Sequence, residues 1–280
     1  MKKVLFGAAL AMATMVAQAG NLRDVESSAL VQGSLVLAPD GTVRDATITD
    51  PAKYGQAISD MVRKAVLQWR FQPVLLDGAP VIAKSSMRVR VVLKKNPDGN
   101  YTARIKGATF GDDDPGDTGV LHAAEANKKL YPHYPEAAIR ARVQGTVYLA
   151  LHVDRNGRVI DAVAEQVNLD NTGTDLALKR YREVLAKSAL DVARTWTYRV
   201  PTTGKLAGQD SWTVHLPVRY YLNTLGEPPR DRTWETYVPG PYTRAPWVDK
   251  PDVNAADALA DGAVQTDGAG PVLLSPLNHG

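Results

Sequence analysis

With 280 residues, a formal charge of +3 and no cysteine, the chain is long enough for two small domains and has no disulfide or thiolate metal site to hold them. Buried apolar cores must therefore carry the fold. Without Lys2 and Lys3 the formal charge falls from +3 to +1, and a near-neutral chain lacking a basic cluster argues against a nucleic-acid or membrane-surface role.

Lys2 and Lys3 precede an uncharged run from Val4 to Val16, which ends in Ala17-Gln18-Ala19 and Gly20. This pattern predicts a secretory signal peptide over residues 1–19, cleaved after Ala19. The run is shorter than the roughly 20 apolar residues of a membrane span. No second run of that length follows, so the mature chain is expected in the periplasm with no stable membrane span.

From Val31 the chain reads as a hairpin. Leu35, Val36 and Leu37 lead to a turn at Pro39-Asp40-Gly41, and Val43 and Ile48 return. Asp50-Pro51 opens a helical pattern in which Ile58, Val62, Ala65 and Trp69 share one face, although Gly55 makes its first turns irregular. Met87, Val89, Val91 and Leu93 then alternate with Arg88, Arg90 and Lys94, which predicts a strand with one buried and one wet, basic face. The Asp, Gly and Asn content of residues 96–120 predicts a connector. Its Asp112, Asp113, Asp114 and Asp117 lack EF-hand spacing and read as a solvated acidic loop.

Residues 122–130 are expected to form a short helix. A further helix starts at Tyr134-Pro135 and stops at Gly145; an alternating strand then runs from Val147 to Val153. Asn156-Gly157 is a strong hairpin signal, and Val159, Ile160 and Val163 return. Leu178, Tyr181, Leu185, Ala189, Val192 and Trp196 make the clearest amphipathic helix. A closing strand follows, with Trp212, Val214, Leu216, Val218 and Tyr220 inward and Thr213, His215, Pro217 and Arg219 on the other face.

These landmarks repeat. Val31-Gln32-Gly33 answers Val143-Gln144-Gly145, Asp40-Gly41 answers Asn156-Gly157, and Trp69 with Phe71 answers Trp196 with Tyr198. The expected fold class is α+β: two tandem small units, each a short antiparallel sheet with a long helix packed on one face, and an extended Pro-rich tail. The boundaries are a signal peptide at 1–19, a divergent unit at 20–96, a linker at 97–126, a complete unit at 127–224 and a Pro/Gly/Ala-rich tail at 225–280. The final 30 residues are expected to be disordered, and Trp234, Tyr237, Tyr242 and Trp247 either to pack back on the second unit, the favoured reading, or to form a recognition segment presented in extended form.

The stretch YPEAAIRARVQGTVYLALHVDRNGRVIDAV, with the later Trp-x-Tyr and closing strand, resembles the C-terminal domain of the TonB energy-transducer family over residues 131–222. Residues 31–95 resemble it in shortened form. The resemblance implies helices covering one face of an antiparallel sheet, and a non-catalytic domain that pairs with a short extended peptide of an outer-membrane transporter or other envelope protein. By the same resemblance the receptive edge is the closing strand with Tyr134 and Pro135 nearby. The candidate partner-binding residues are Tyr134, Pro135, Thr213, His215, Arg219 and Tyr221, and the structural residues are Trp69, Trp196, Gly145 and Gly157. Family transducers carry a His-bearing anchor helix and a long Pro-rich spacer. Neither is read before Val31, so a soluble TonB-like binding protein is expected.

An enzyme reading finds no catalytic motif. His122, His133, His152, His215 and His279 are scattered, and His152 and His215 read as solvated strand residues; no cofactor or metal is expected. A second reading is a structural envelope protein that binds peptidoglycan through Arg88, Arg90 and Arg219 on exposed strand faces.

Overall fold

Alternating apolar residues on long paired strands build two antiparallel sheets, each with its own core. This computed structural model describes residues 25–111, 114, 116–222, 233–248, 259 and 263–277. The expected signal peptide, Asp112, Asp113 and parts of the tail lie outside them. No helix among the described residues is long and apolar enough to cross a membrane.

In the first unit β1 (Glu26–Leu37) pairs along its whole length with β5 (Ala83–Lys95), and β2 (Val43–Ile48) pairs with the end of β1. Between them a short helix α1 (Pro51–Tyr54) is separated by Gly55, at φ 87°, from α2 (Gln56–Gln68). Val62 and Val66 of α2 pack with Trp69, Phe71 and Met87 over the sheet. A small hairpin, β3 (Leu75–Leu76) and β4 (Ala79–Pro80), precedes β5.

The connector expected at 96–120 instead contains β6 (Tyr101–Phe110), which pairs with the second side of β5. Ala103, Gly107 and Ala108 interrupt its β-formers Thr102, Ile105 and Thr109, and turn residues flank it at 96–100 and 111–117, so the strand pattern is weak in sequence; β5 supplies the backbone partners that make it a strand. Phe110 sets its ring edge-on to Trp69 at 5.7 Å and to Phe71 at 4.9 Å. The expected wet, basic face of β5 is also corrected. Arg90 is buried, and its guanidinium donates to Leu259 O at 2.7 Å and Ser28 Oγ at 3.4 Å. Arg88 is half-buried.

The second unit begins with β7 (His122–Ala123) and a 3-10 turn at Glu125–Lys129, where a short helix was expected. α3 (Glu136–Arg140) starts after Pro135 and ends as Arg142 adopts φ 52°. The stop is therefore not Gly145. That residue opens β8 (Gly145–Asp154), where a Cβ would be driven into the Asn168 carbonyl. β8 is flanked by β9 (Val159–Leu169) and β11 (Ser211–Tyr220), and a short β10 (Tyr198–Arg199) pairs with β7. Between β9 and β10, α4 (Asp175–Ala193) is capped by Thr174, whose hydroxyl accepts from Ala177 N–H at 3.3 Å. Leu178, Leu185, Ala189 and Ala193 form its buried face.

The two units share details beyond element order. Gly41 and Gly157 both turn at positive φ, 79° and 73°, and a Cβ at either would strike the carbonyl of Phe71 or Tyr198. Phe71 N–H donates to Gly41 O at 2.9 Å, and Tyr198 N–H to Gly157 O at 2.7 Å. After each turn one strand residue is left over in the ladder, Arg44 in β2 and Ile160 in β9. The expected structural anchors Trp69 and Trp196 are both buried, and their indole N–H groups donate to Leu277 O and Leu130 O.

The tail does not pack on the second unit alone. β12 (Glu235–Tyr237) pairs with the start of β1, Val238 bridges to Leu169 of β9, and β13 (Gln265–Thr266) pairs with β11. Leu273 and Leu277 are buried in the first core, so this part of the final 30 residues is ordered. Its Gly, Pro and Asp residues hide any strand period, and distant sheet edges supply the hydrogen-bond partners that the segment lacks on its own.

Candidate functional site

β11 lies toward one side of the second sheet, whose order is β13-β11-β8-β9. Ten residues, Ser211 to Tyr220, pair with β8, whereas only Val214 and His215 pair with β13. The Thr213 carbonyl accepts from Asp267 N–H at 3.0 Å, so backbone groups at Thr213, His215, Pro217 and Arg219 point away from β8, because these groups alternate along a strand. Pro217 thus places its missing donor on the outer edge, the one place in a sheet that tolerates it.

The candidate residues fall into two groups along this edge. At one end Arg219 forms a two-pronged ion pair with Asp170, at 3.0 Å and 2.6 Å, and also donates to Thr146 Oγ1. Tyr134 lies there too, its ring edge-on to Tyr220 at 5.4 Å and its hydroxyl donating to Val143 O. Burial pushes the Tyr134 and Tyr220 phenols up to about 12, so both stay neutral. Pro135 is half-buried at the head of α3, and Tyr221 is 53% exposed just past β11. Arg219 is therefore engaged rather than displayed, and with Arg90 buried, two of the three arginines expected on exposed faces are not there.

At the other end His215 is not a solvated strand histidine. It is 8% exposed, with Nδ1 at 3.1 Å from Glu165 Oε2 and Nε2 at 3.0 Å from Asp267 Oδ1, the latter an ion pair without hydrogen-bond alignment. Burial by itself depresses the imidazole, but the carboxylates of Asp267 and Glu165 outweigh it and hold His215 up to about 10. His152 instead stacks on Trp247 at 5.2 Å, so the two histidines have separate surroundings. Thr213 is half-buried beside them.

Glu165, Asp267 and Asp170 were not singled out from the sequence. Glu165 is aimed by a bulge: Leu149 pairs with Ala164 and Tyr148 with Gln166, which leaves Glu165 as the extra residue. A charged residue inside an apolar strand was the available signal. Glu165 also receives the tail, from Tyr242 Oη at 3.2 Å and Ala245 N–H at 3.3 Å, while its carbonyl accepts from Thr243 N–H at 2.7 Å.

Residues 131–222, which include α3 and the whole β8–β11 unit, match the family model for the Gram-negative bacterial TonB protein C-terminal. They form a TonB C-terminal domain. Two curated proteins, each called Protein TonB and coming from Xanthomonas campestris pv. campestris strains B100 and ATCC 33913, are 37% identical over 94 residues. That alignment covers 33% of this chain and 35% of each relative, so the chain spans about a third of the length of the curated proteins it matches. No solved structure matches the chain. The TonB C-terminal domain supplies the mixed helix and antiparallel-sheet architecture of the second unit, and the tail crosses two edges of that sheet.

Proposed function

We propose that this chain is a non-catalytic, TonB-like protein of the periplasm that takes up an extended peptide from an outer-membrane transport partner by strand addition at β11. The observation that carries this reading is the edge itself within a TonB C-terminal domain: among the described residues, ten of β11 are paired on one side and two on the other. An added strand gains backbone hydrogen bonds there, and the outward side chains of β11 give selectivity. A cleavable leader at 1–19 and the boundaries at 96 and 126 belong to the same proposal.

We further infer that residues 26–95 are a divergent second copy of the domain. The matched turn bonds, the extra strand residue after each turn and the buried tryptophan after each helix support it. Residues 131–222 are the part that matches the TonB C-terminal model, so strand addition is assigned to the second unit.

The test uses a fluorescent peptide from the plug of an outer-membrane transporter, read by anisotropy on the mature chain. Methylating the backbone nitrogens of alternate peptide residues removes the donors facing β11 in one register and leaves them in the other. One methylation pattern is expected to abolish binding and its complement to spare it. Equal binding by both patterns, or no binding by any plug peptide alongside sedimentation with peptidoglycan sacculi, would overturn the proposal.

A further inference from the structure

Both edges of the TonB-like sheet touch the chain's own tail, but the two contacts differ in kind. Along β9, Val238 and Leu169 exchange backbone bonds at 2.7 Å and 3.1 Å, and Gly240 bonds the Asn168 and Gln166 side chains. Arg182 of α4 donates to Val167 O, Val238 O and Pro239 O, fastening the strap to the strand. Along β11 the contact is short. Gln265 and Thr266 face His215 and Val214, Asp267 N–H bonds Thr213 O at 3.0 Å, and the chain turns away at Gly268, φ 77°. Beyond the turn Leu273 and Leu277 are anchored in the other core, so release of three residues from β11 need not detach the tail.

The side chain that holds this short contact is Asp267, which faces the buried imidazole of His215 while Glu165 holds the opposite ring nitrogen. An imidazolium this deeply buried is costly if left without its outer carboxylate. A strand that replaces residues 265–267 and brings no acid leaves that cost standing; a strand with a carboxylate at the same place removes it.

The geometry points to residues 265–267 as an internal ligand of the β11 edge, displaced by an external strand that carries a carboxylate where Asp267 now meets His215. This rests on the strand-addition reading of β11 and adds to it a competitor and a selectivity rule. The side chain of Asp267 is 33% exposed, and neither core contains it, so its replacement leaves both cores intact.

The test compares the mature chain with its Asp267→Ala variant, using two fluorescein-labelled synthetic peptides: the chain's own residues 263–270, and the same peptide with Asp267→Asn. The variant is expected to bind the first peptide about tenfold more tightly than the unaltered chain, the low end of the coupling between close charge pairs across an interface. The Asn peptide is expected to bind the variant about tenfold more weakly than the Asp peptide. A Thr213→Cys, Asp267→Cys variant, in a chain that has no other cysteine, adds a reversible lock: oxidation is expected to block the peptide and reduction to restore it. Equal binding of the Asp peptide by both proteins, or equal binding of the Asp and Asn peptides by the variant, overturns the inference. If these results come out as expected and transporter plug peptides still fail to bind, the partner assignment falls and the internal ligand stands. If plug peptides bind both proteins equally, strand addition stands and the internal ligand falls.

Discussion

Replacing Trp69 by alanine tests whether the first unit and the end of the tail share one core. Trp69 is fully buried, lies edge-on to Phe110, and donates its indole N–H to the Leu277 carbonyl at 3.2 Å, 208 residues away. Truncating a buried tryptophan costs about 3–5 kcal/mol in lost transfer and cavity terms. The stranded Leu277 carbonyl adds about 1–3 kcal/mol, because a buried acceptor is left without its donor. A total of about 4–8 kcal/mol is comparable to the whole stability of many domains, about 5–15 kcal/mol, so the first unit is expected to be marginal or unfolded. Trp69→Phe separates the two parts, since it keeps most of the ring and loses the hydrogen bond; it is expected to cost about 1–3 kcal/mol. Urea unfolding followed by circular dichroism measures both, and limited proteolysis reports whether residues 271–277 are released. Wild-type midpoints for Trp69→Ala, or loss of the first core with the tail still protected, would refute the shared core.

The pH dependence follows from His215, whose folded value near 10 exceeds its ordinary 6.5. Its contribution is fully present below about 6.5 and is lost as pH rises toward about 10, so urea midpoints are expected to fall over that window and His215→Gln to flatten the fall. Breaking the Arg219–Asp170 pair with Asp170→Asn is expected to cost about 1.5–3 kcal/mol, because both side chains are mostly buried and the guanidinium is left with Thr146; midpoints in urea check it.

The two long helices, the two hairpins and the tryptophans were legible because their signals are local. Asn156-Gly157 needs only its own sequence to announce a turn, and Leu178 through Trp196 reveal a helical face by spacing alone. β6 was not legible, since Ala103, Gly107 and Ala108 break up its β-formers and β5, which pairs with it, is needed to complete the strand. The charged site was half legible. Arg219 and His215 were placed on the correct strand and face, but their partners are remote: Asp170 lies 49 residues away, Glu165 is set by a bulge, and Asp267 lies in a segment whose composition suggested disorder. Burial of Arg90 has the same origin, because Leu259, whose carbonyl it binds, belongs to the tail.

How each edge is covered bears on which one can exchange. An open strand edge invites pairing with any extended chain, so a small sheet kept in solution needs both edges managed. On β9 the tail is held by backbone bonds, by Asn168 and Gln166 side chains and by Arg182, contacts distributed over strand and helix, and lifting it removes all of them together. On β11 the cover among the described residues is two residue pairs, one further backbone bond and one ion pair, with Val264 and Ala269 packed on the second core and Pro217 lacking a donor beyond them. This cover suppresses indiscriminate pairing with fewer backbone and side-chain bonds to break than the strap on β9 has. The requirement it leaves behind, a carboxylate for His215, then selects among the strands that arrive. The β9 edge has the opposite design, because loosening it would also separate β12 from β1 and so disturb the junction between the two sheets. On the proposed strand addition, exchange at β11 and permanence at β9 are both consequences of one tail that crosses both sheets.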